Sequence, residues 1–201
     1  MSNSRAPRVV LLPGLDGTGR LFAPLLNQLP AELSTDVLVL PNDPALGYED
    51  LRTHLKARLP TDDDFVIVAE SFSGPLAIMC AAQKPSGLRD VVLCATFSTL
   101  TGSWLRGAAP IASAVSPHTI PLSVLSWLLM GERATPELRR ALGESLRSVP
   151  ANVLKARALA ALGVDVTLEG KTLSVPVLVI RPTRDRLLPS VVYDRTLAGL
   201  P

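Results

Sequence analysis

Phe65-Val66-Ile67-Val68-Ala69-Glu70-Ser71-Phe72-Ser73-Gly74-Pro75-Leu76-Ala77-Ile78-Met79-Cys80 is the stretch whose reading decides the fold. Phe65 to Ala69 is short and apolar, as a buried strand is, and Gly74 to Ala82 stays apolar for the length of a helix. A single serine, Ser71, stands where the one turns into the other. That layout is a nucleophile elbow, a strained strand-to-helix turn that lifts a serine Oγ clear of the sheet edge. The plainer reading is a helix N-cap, for which serine is also a preferred residue.

Working outward, the same alternation repeats. Arg8 to Leu12 reads as a first strand stopped by Pro13-Gly14, and Leu21 to Leu29 as a helix with Leu21, Leu25, Leu26 and Leu29 on one face. Val37 to Leu40 reads as the second strand and Tyr48 to Leu59 as the next helix. Val91 to Ala95 is the fourth strand and Val177 to Ile180 the fifth. Strands alternating with helices predict a mostly parallel α/β sheet with helices on both faces. Thr99 to Glu169, between the fourth and fifth strands, reads as helical. Thr135-Pro136-Glu137 is a helix start, Leu138, Leu142 and Leu146 continue it, and Val153 to Leu162 forms another helix closed by Gly163. This stretch, 99–169, is expected to be a helical cap over the strand ends of a single domain spanning 1–201.

Bulk properties exclude several classes. The 201 residues are 47% hydrophobic and 19% charged, a globular balance, and the net charge of +2 without a basic run gives no footprint for nucleic acid. Cys80 and Cys94 lie in apolar segments without metal-ligand spacing, so they read as buried thiols of a cytoplasmic protein. The uncharged stretch 107–130 is broken by Pro110, Pro117 and Pro121, so no membrane span is expected.

Three segments fall at the carboxyl ends of the predicted strands, where open parallel sheets bind ligands. They are Leu12-Pro13-Gly14-Leu15-Asp16-Gly17-Thr18-Gly19, the turn at Ser71, and Arg181-Pro182-Thr183-Arg184-Asp185. Acyl transfer needs what these could supply. Ser71 would attack a carbonyl carbon, the backbone N–H groups of Leu15 and Phe72 would hold the oxyanion, and Asp185 would orient a histidine. The glycine loop reads G-x-x-G-x-G rather than G-x-G-x-x-G, which argues against dinucleotide binding.

With these residues in view, the chain resembles the α/β-hydrolase superfamily, in particular small bacterial α/β-fold hydrolases with LPGLDGTG and ESFSG motifs. The resemblance covers nearly the whole chain. It implies a serine nucleophile at Ser71, an acid at Asp185, no cofactor or metal, and a small-molecule acyl substrate. The apolar cap, with Trp104 and Trp127, suggests a hydrophobic group in that substrate.

The sequence departs from the superfamily pattern in three ways. Ala69 and Ser73 stand where G-x-S-x-G has glycines, and Pro13-Gly14 stands where His-Gly is common at the oxyanion loop. The resemblance further implies one more strand and a histidine after Asp185, whereas Pro189 to Leu200 reads as a helix and Pro201 follows. The two histidines, His54 and His118, do not hold the position of the base. The expectation is therefore a truncated, catalytically crippled serine esterase. The alternative is a non-catalytic, ligand-binding or degenerate hydrolase-like protein.

Overall fold

The computed structural model describes residues 6–100, 107, 110 and 114–201. Five strands, β1 (Arg8–Leu12), β2 (Thr35–Val37), β3 (Phe65–Glu70), β4 (Leu88–Cys94) and β5 (Val177–Ile180), form one sheet in the order β2-β1-β3-β4-β5, with every pairing parallel. Parallel neighbours cannot be joined by a tight turn, so each connection must cross the sheet. The helices do this: α1 (Ala23–Leu26), α2 (Tyr48–Lys56) and α3 (Ser73–Ala82); α8 (Ser190–Ala198) follows β5. Between β4 and β5 lie α4 (Leu122–Met130), α5 (Pro136–Arg147), α6 (Ala151–Gly163) and α7 (Thr167–Gly170).

The core forms where β1, β3 and β4 meet α2 and α3. Phe65, Ile67 and Ala69 of β3 are fully buried, as are Leu51 and Leu55 of α2 and Leu76 and Ile78 of α3. Helix α3 is apolar on every side because every residue from Ser73 to Ala81 is buried. Thr135 caps α5, its Oγ1 accepting from Leu138 N–H at 3.3 Å, with Pro136 at the first helical position.

Two expected elements move. The second strand is Thr35–Val37 rather than Val37 to Leu40. The outer strand pairs only with β1, and Arg8 reaches Asp36 at 2.8 Å, so polar residues suit the sheet edge better than the apolar run behind them. Leu40 N–H is drawn instead to the carbonyl of Gly17 at 2.9 Å. The helix expected over Leu21 to Leu29 shrinks to a 3₁₀ turn at Arg20–Phe22 and the single turn of α1. Its leucine stripe finds no core, Leu25 being 42% exposed, and Phe22 is the buried anchor.

The stretch between β4 and β5 leaves and rejoins the sheet at one place. Thr99 bridges Asp165, and Val166 N–H donates to the Ser98 carbonyl at 3.0 Å. No helix among the described residues is long and apolar enough to cross a membrane.

Candidate active site

The elbow is built as its sequence demands. Ser71 has φ 49°, the left-handed region that a side chain adopts only under local constraint. The constraints surround it. Ser71 N–H donates to the Cys94 carbonyl at 2.9 Å, and its own carbonyl accepts from Gly74 N–H at 3.1 Å and from Thr96 Oγ1. A Cβ on Gly74 would overlap the Thr96 side chain, so this turn closes only with glycine there. At the two positions where glycine is usual, Ala69 is fully buried, and Ser73 uses its hydroxyl, donating to the carbonyl of Pro13. That hydrogen bond ties the elbow to the loop after β1.

The loop after β1 has every carbonyl from Pro13 to Gly17 engaged. Pro13 accepts from Ser73, Gly14 from Gly17 N–H at 2.9 Å, and Gly17 from Leu40 N–H at 2.9 Å. Leu15 and Asp16 both accept from Arg157 Nη1, at 2.9 and 2.7 Å. In a trans peptide the N–H points opposite to the preceding C=O. The Gly14 carbonyl turned toward Gly17 therefore directs Leu15 N–H outward from the turn. By the same rule the Ser71 carbonyl, held by Thr96 and Gly74, directs Phe72 N–H the other way. Tyr48 fixes the next peptide, its OH donating to the Phe72 carbonyl at 3.0 Å while its ring stacks on Phe72 at 4.8 Å.

Asp185 follows β5. Its Oδ1 accepts from the N–H groups of Leu187 and Leu188, each at 2.8 Å, and its Oδ2 from Tyr193 OH at 2.5 Å. Burial, then the Asp185 contact, push the Tyr193 phenol above its ordinary range. A cavity of about 260 Å³ joins these pieces, its wall including Leu15, Glu70, Ser71 and Asp185, with Leu128, Met130, Leu142 and Leu146 from α4 and α5. The cavity therefore brings together Ser71, Asp185 and Leu15. Trp127 lies on α4, more than half exposed beneath the Arg186 guanidinium at 4.5 Å, and Trp104 lies outside the described residues.

The two histidines stand elsewhere. His54, on α2, accepts from Arg58 Nη1 at 2.5 Å, and partial burial followed by the Arg58 charge lowers its pKa. His118 points Nε2 at the carbonyls of Leu146 and Val149, both at 3.1 Å. Neither lines the cavity that holds Ser71. Among the described residues no group of three His, Cys, Asp or Glu side chains could hold a metal ion.

Four polar residues of the site escape a sequence reading. Glu70 lines the cavity, and burial, then the nearby Asp16, raise its carboxyl from 4.5 to about 7. Asp16 is 6% exposed, its Oδ2 accepting from Thr18 N–H at 3.0 Å and from Ser145 Oγ at 2.7 Å. Arg157 is 2% exposed on α6, where Val153, Leu154 and Ala161 are the other buried residues. A lone arginine on the buried face of such a helix was the available signal. Tyr193 is the fourth.

Glu70 gives the fold a pH dependence of definite sign. A carboxyl whose folded pKa lies above its unfolded value favours the folded state fully below about 4.5 and loses that contribution as pH rises through 7. The difference amounts to roughly 3 kcal/mol at about 1.4 kcal/mol per pH unit. Glu70→Gln is therefore expected to be more stable than the parent at pH 8 and close to it at pH 4. Urea unfolding at both pH values measures it, and parallel pH profiles for the two proteins would remove Glu70 as the cause.

No protein-family model matches the chain, and no curated protein sequence does. Solved structures match over almost its whole length. A hydrolase from Oleispira antarctica superposes with TM-score 0.79 at 15% identity, over 97% of this chain and 80% of the other. The enol-lactonase from Burkholderia xenovorans gives 0.78 at 18%, over 100% and 82%. An alpha/beta hydrolase enzyme from a Medee basin deep-sea metagenome library gives 0.73 at 17%, over 100% and 79%. Likeness at such identity is likeness of fold, and the fold is that of the α/β-hydrolases.

Proposed function

We propose that this α/β-hydrolase fold carries the acyl-transfer machinery of a serine esterase, with Ser71 as nucleophile. The reading is supported above all by the left-handed turn at Ser71 opening onto the same cavity as Leu15 and Asp185. Ser71 Oγ attacks the ester carbonyl carbon, and the carbonyl electrons move to its oxygen, where Leu15 and Phe72 N–H groups stabilise the negative charge. Collapse breaks the bond to the alkoxy group, which leaves as the alcohol. Water then attacks the acyl-enzyme and releases the carboxylic acid. The stretch 99–169 acts as a cap, and the leucines and Met130 that it contributes favour an apolar acyl or alkyl group. Cofactors and metals take no part in this scheme.

Neither His54 nor His118 reaches Ser71, so the serine proton passes slowly to solvent and turnover by these residues is impaired. An alkyl fluorophosphonate tests the reading: Ser71 Oγ displaces fluoride from phosphorus, and the mass gain is read on the Ser71 peptide. Imidazole at tens of millimolar, small enough to enter the cavity as an external base, is expected to speed labelling. His54→Ala and His118→Ala are expected to leave the labelling rate unchanged. A large loss in either variant would assign that histidine to the chemistry.

A second reading is favoured by one observation. Both Asp185 oxygens already have donors, Oδ2 from Tyr193, so the carboxylate is satisfied without a histidine. That suits a hydrolase-like protein that binds ligands without turning them over. Absence of labelling at Ser71, with and without imidazole, would support it.

A further inference from the structure

We propose that Arg157 is a positioning residue for the oxyanion hole, holding the loop after β1 in the orientation that presents its N–H groups to an acyl oxygen. The inference rests on the serine-esterase reading for its chemical consequence. Its structural part stands on contacts of this chain alone.

Arg157 projects from α6, about 140 positions along the chain from the loop it serves, and spends its guanidinium on three backbone carbonyls: Leu15, Asp16 and, through Nη2, Pro41 at 2.9 Å. Among the described residues no carboxylate lies within hydrogen-bond distance of this buried cation, and although the Asp16 charge acts on it, it must recover its hydration from such dipoles. The carbonyls gain as much. Without Arg157, the Leu15 and Asp16 carbonyls would be left without these donors near the buried Asp16 side chain. The peptide between Asp16 and Gly17 is the critical one. With its carbonyl fixed on Arg157, its N–H is turned to the Gly14 carbonyl, and that carbonyl in turn directs Leu15 N–H outward from the turn, where an oxyanion can meet it.

The loop's own sequence is fitted to the guanidinium. Gly17 has φ +70°, and a Cβ on it would lie 2.6 Å from Arg157 Nη1 and 2.8 Å from Leu40 Cβ. Any side chain there would displace the clamp. Ser145 of α5 adds a second tie from the same insert through Asp16 Oδ2, so the helices over the cavity and the oxyanion loop are joined by side chains at two points.

The test uses the full chain with Arg157→Ala and Arg157→Lys. Lysine keeps the charge but lacks the fork that spans three acceptors. Hydrogen–deuterium exchange of the segment 14–18 is expected to accelerate strongly in Arg157→Ala and partly in Arg157→Lys. Guanidinium chloride at tens of millimolar, too dilute to unfold the chain, is expected to restore protection in Arg157→Ala and leave the parent unchanged. Fluorophosphonate labelling at Ser71 is expected to slow about a hundredfold in Arg157→Ala, the cost of one lost oxyanion donor, with the same rescue. Unchanged exchange in 14–18 for both variants would overturn the clamp. Accelerated exchange with an unchanged labelling rate would overturn its role in the oxyanion hole. A parent that is not labelled at all would also overturn that role and, with it, the serine-esterase reading, while the exchange data decide the clamp independently.

Discussion

Ser71→Ala is expected to abolish fluorophosphonate labelling entirely. Alanine keeps the φ 49° backbone as strained as before and leaves the hydrogen bonds of the turn in place, so the fold and the cavity persist and only the Oγ is lost. The effect on turnover is expected to be different in scale. Members of a triad act as a unit, and breaking a complete one costs roughly a millionfold in turnover. Neither His54 nor His118 lines the cavity that holds Ser71, so on the serine-esterase reading the loss expected from removing the serine is smaller. Hydrolysis of p-nitrophenyl acetate should fall by far less than in a complete triad, and the imidazole-dependent part should vanish. Intact-mass spectrometry and a rate series in imidazole measure both. Labelling that persists in Ser71→Ala would place the nucleophile elsewhere.

Gly74→Ala is expected to produce a large loss of stability from a single methyl group. The new Cβ would fall within 2.7 Å of Thr96 Cγ2 and Cβ and closer still to its Oγ1, and Thr96 is itself 1% exposed, with nowhere to turn. Overpacking of this kind costs about 3 kcal/mol. It would also break the Thr96 hydrogen bond to the Ser71 carbonyl and loosen the peptide that carries Phe72 N–H. Thr96→Ala in the same chain removes Oγ1 and Cγ2 and is expected to recover part of the loss. Urea unfolding of the two single variants and the double variant gives the coupling directly. Additive effects would show that the Thr96 contact is not what makes Gly74 necessary.

The sheet was legible because buried parallel strands are written as uninterrupted apolar runs. Arg8 to Leu12 and Phe65 to Ala69 form such strands, and Val177 to Ile180 forms one too although Leu178 and Ile180 are exposed. The β2 side was less legible. Thr35 and Asp36 lie in β2 because Arg8 meets Asp36 across the pair, a contact between residues 28 positions apart that no local pattern records. The leucines of 21–29 have helical spacing, but Leu25 is exposed and Leu21, Leu26 and Leu29 are only half-buried, so periodicity overstated the helix. At the site, the chemically distinctive positions could be read from their place at strand ends, and the cavity wall includes Leu15, Ser71 and Asp185. Their supports could not. Arg157, Ser145 and Tyr193 matter through partners reached only after folding. Ser73 reads as a departure from a motif until its hydrogen bond to Pro13 shows what the hydroxyl does.

The parallel order of the sheet also governs when the site can exist. β1 pairs with β3 across more than fifty residues, and the loop after β1 receives Arg157 from 142 positions further on. On a ribosome delivering the chain from its amino end, the elbow at Ser71 emerges long before α6 does. A nascent chain cut after β4 would carry the nucleophile but lack the arginine that steadies the Leu15 and Asp16 carbonyls. Contacts this distant in sequence also make folding slow. The turn at Ser71 needs no partner beyond Thr96, whereas the loop after β1 is braced late in the making of each molecule, when α6 has been synthesised and docked.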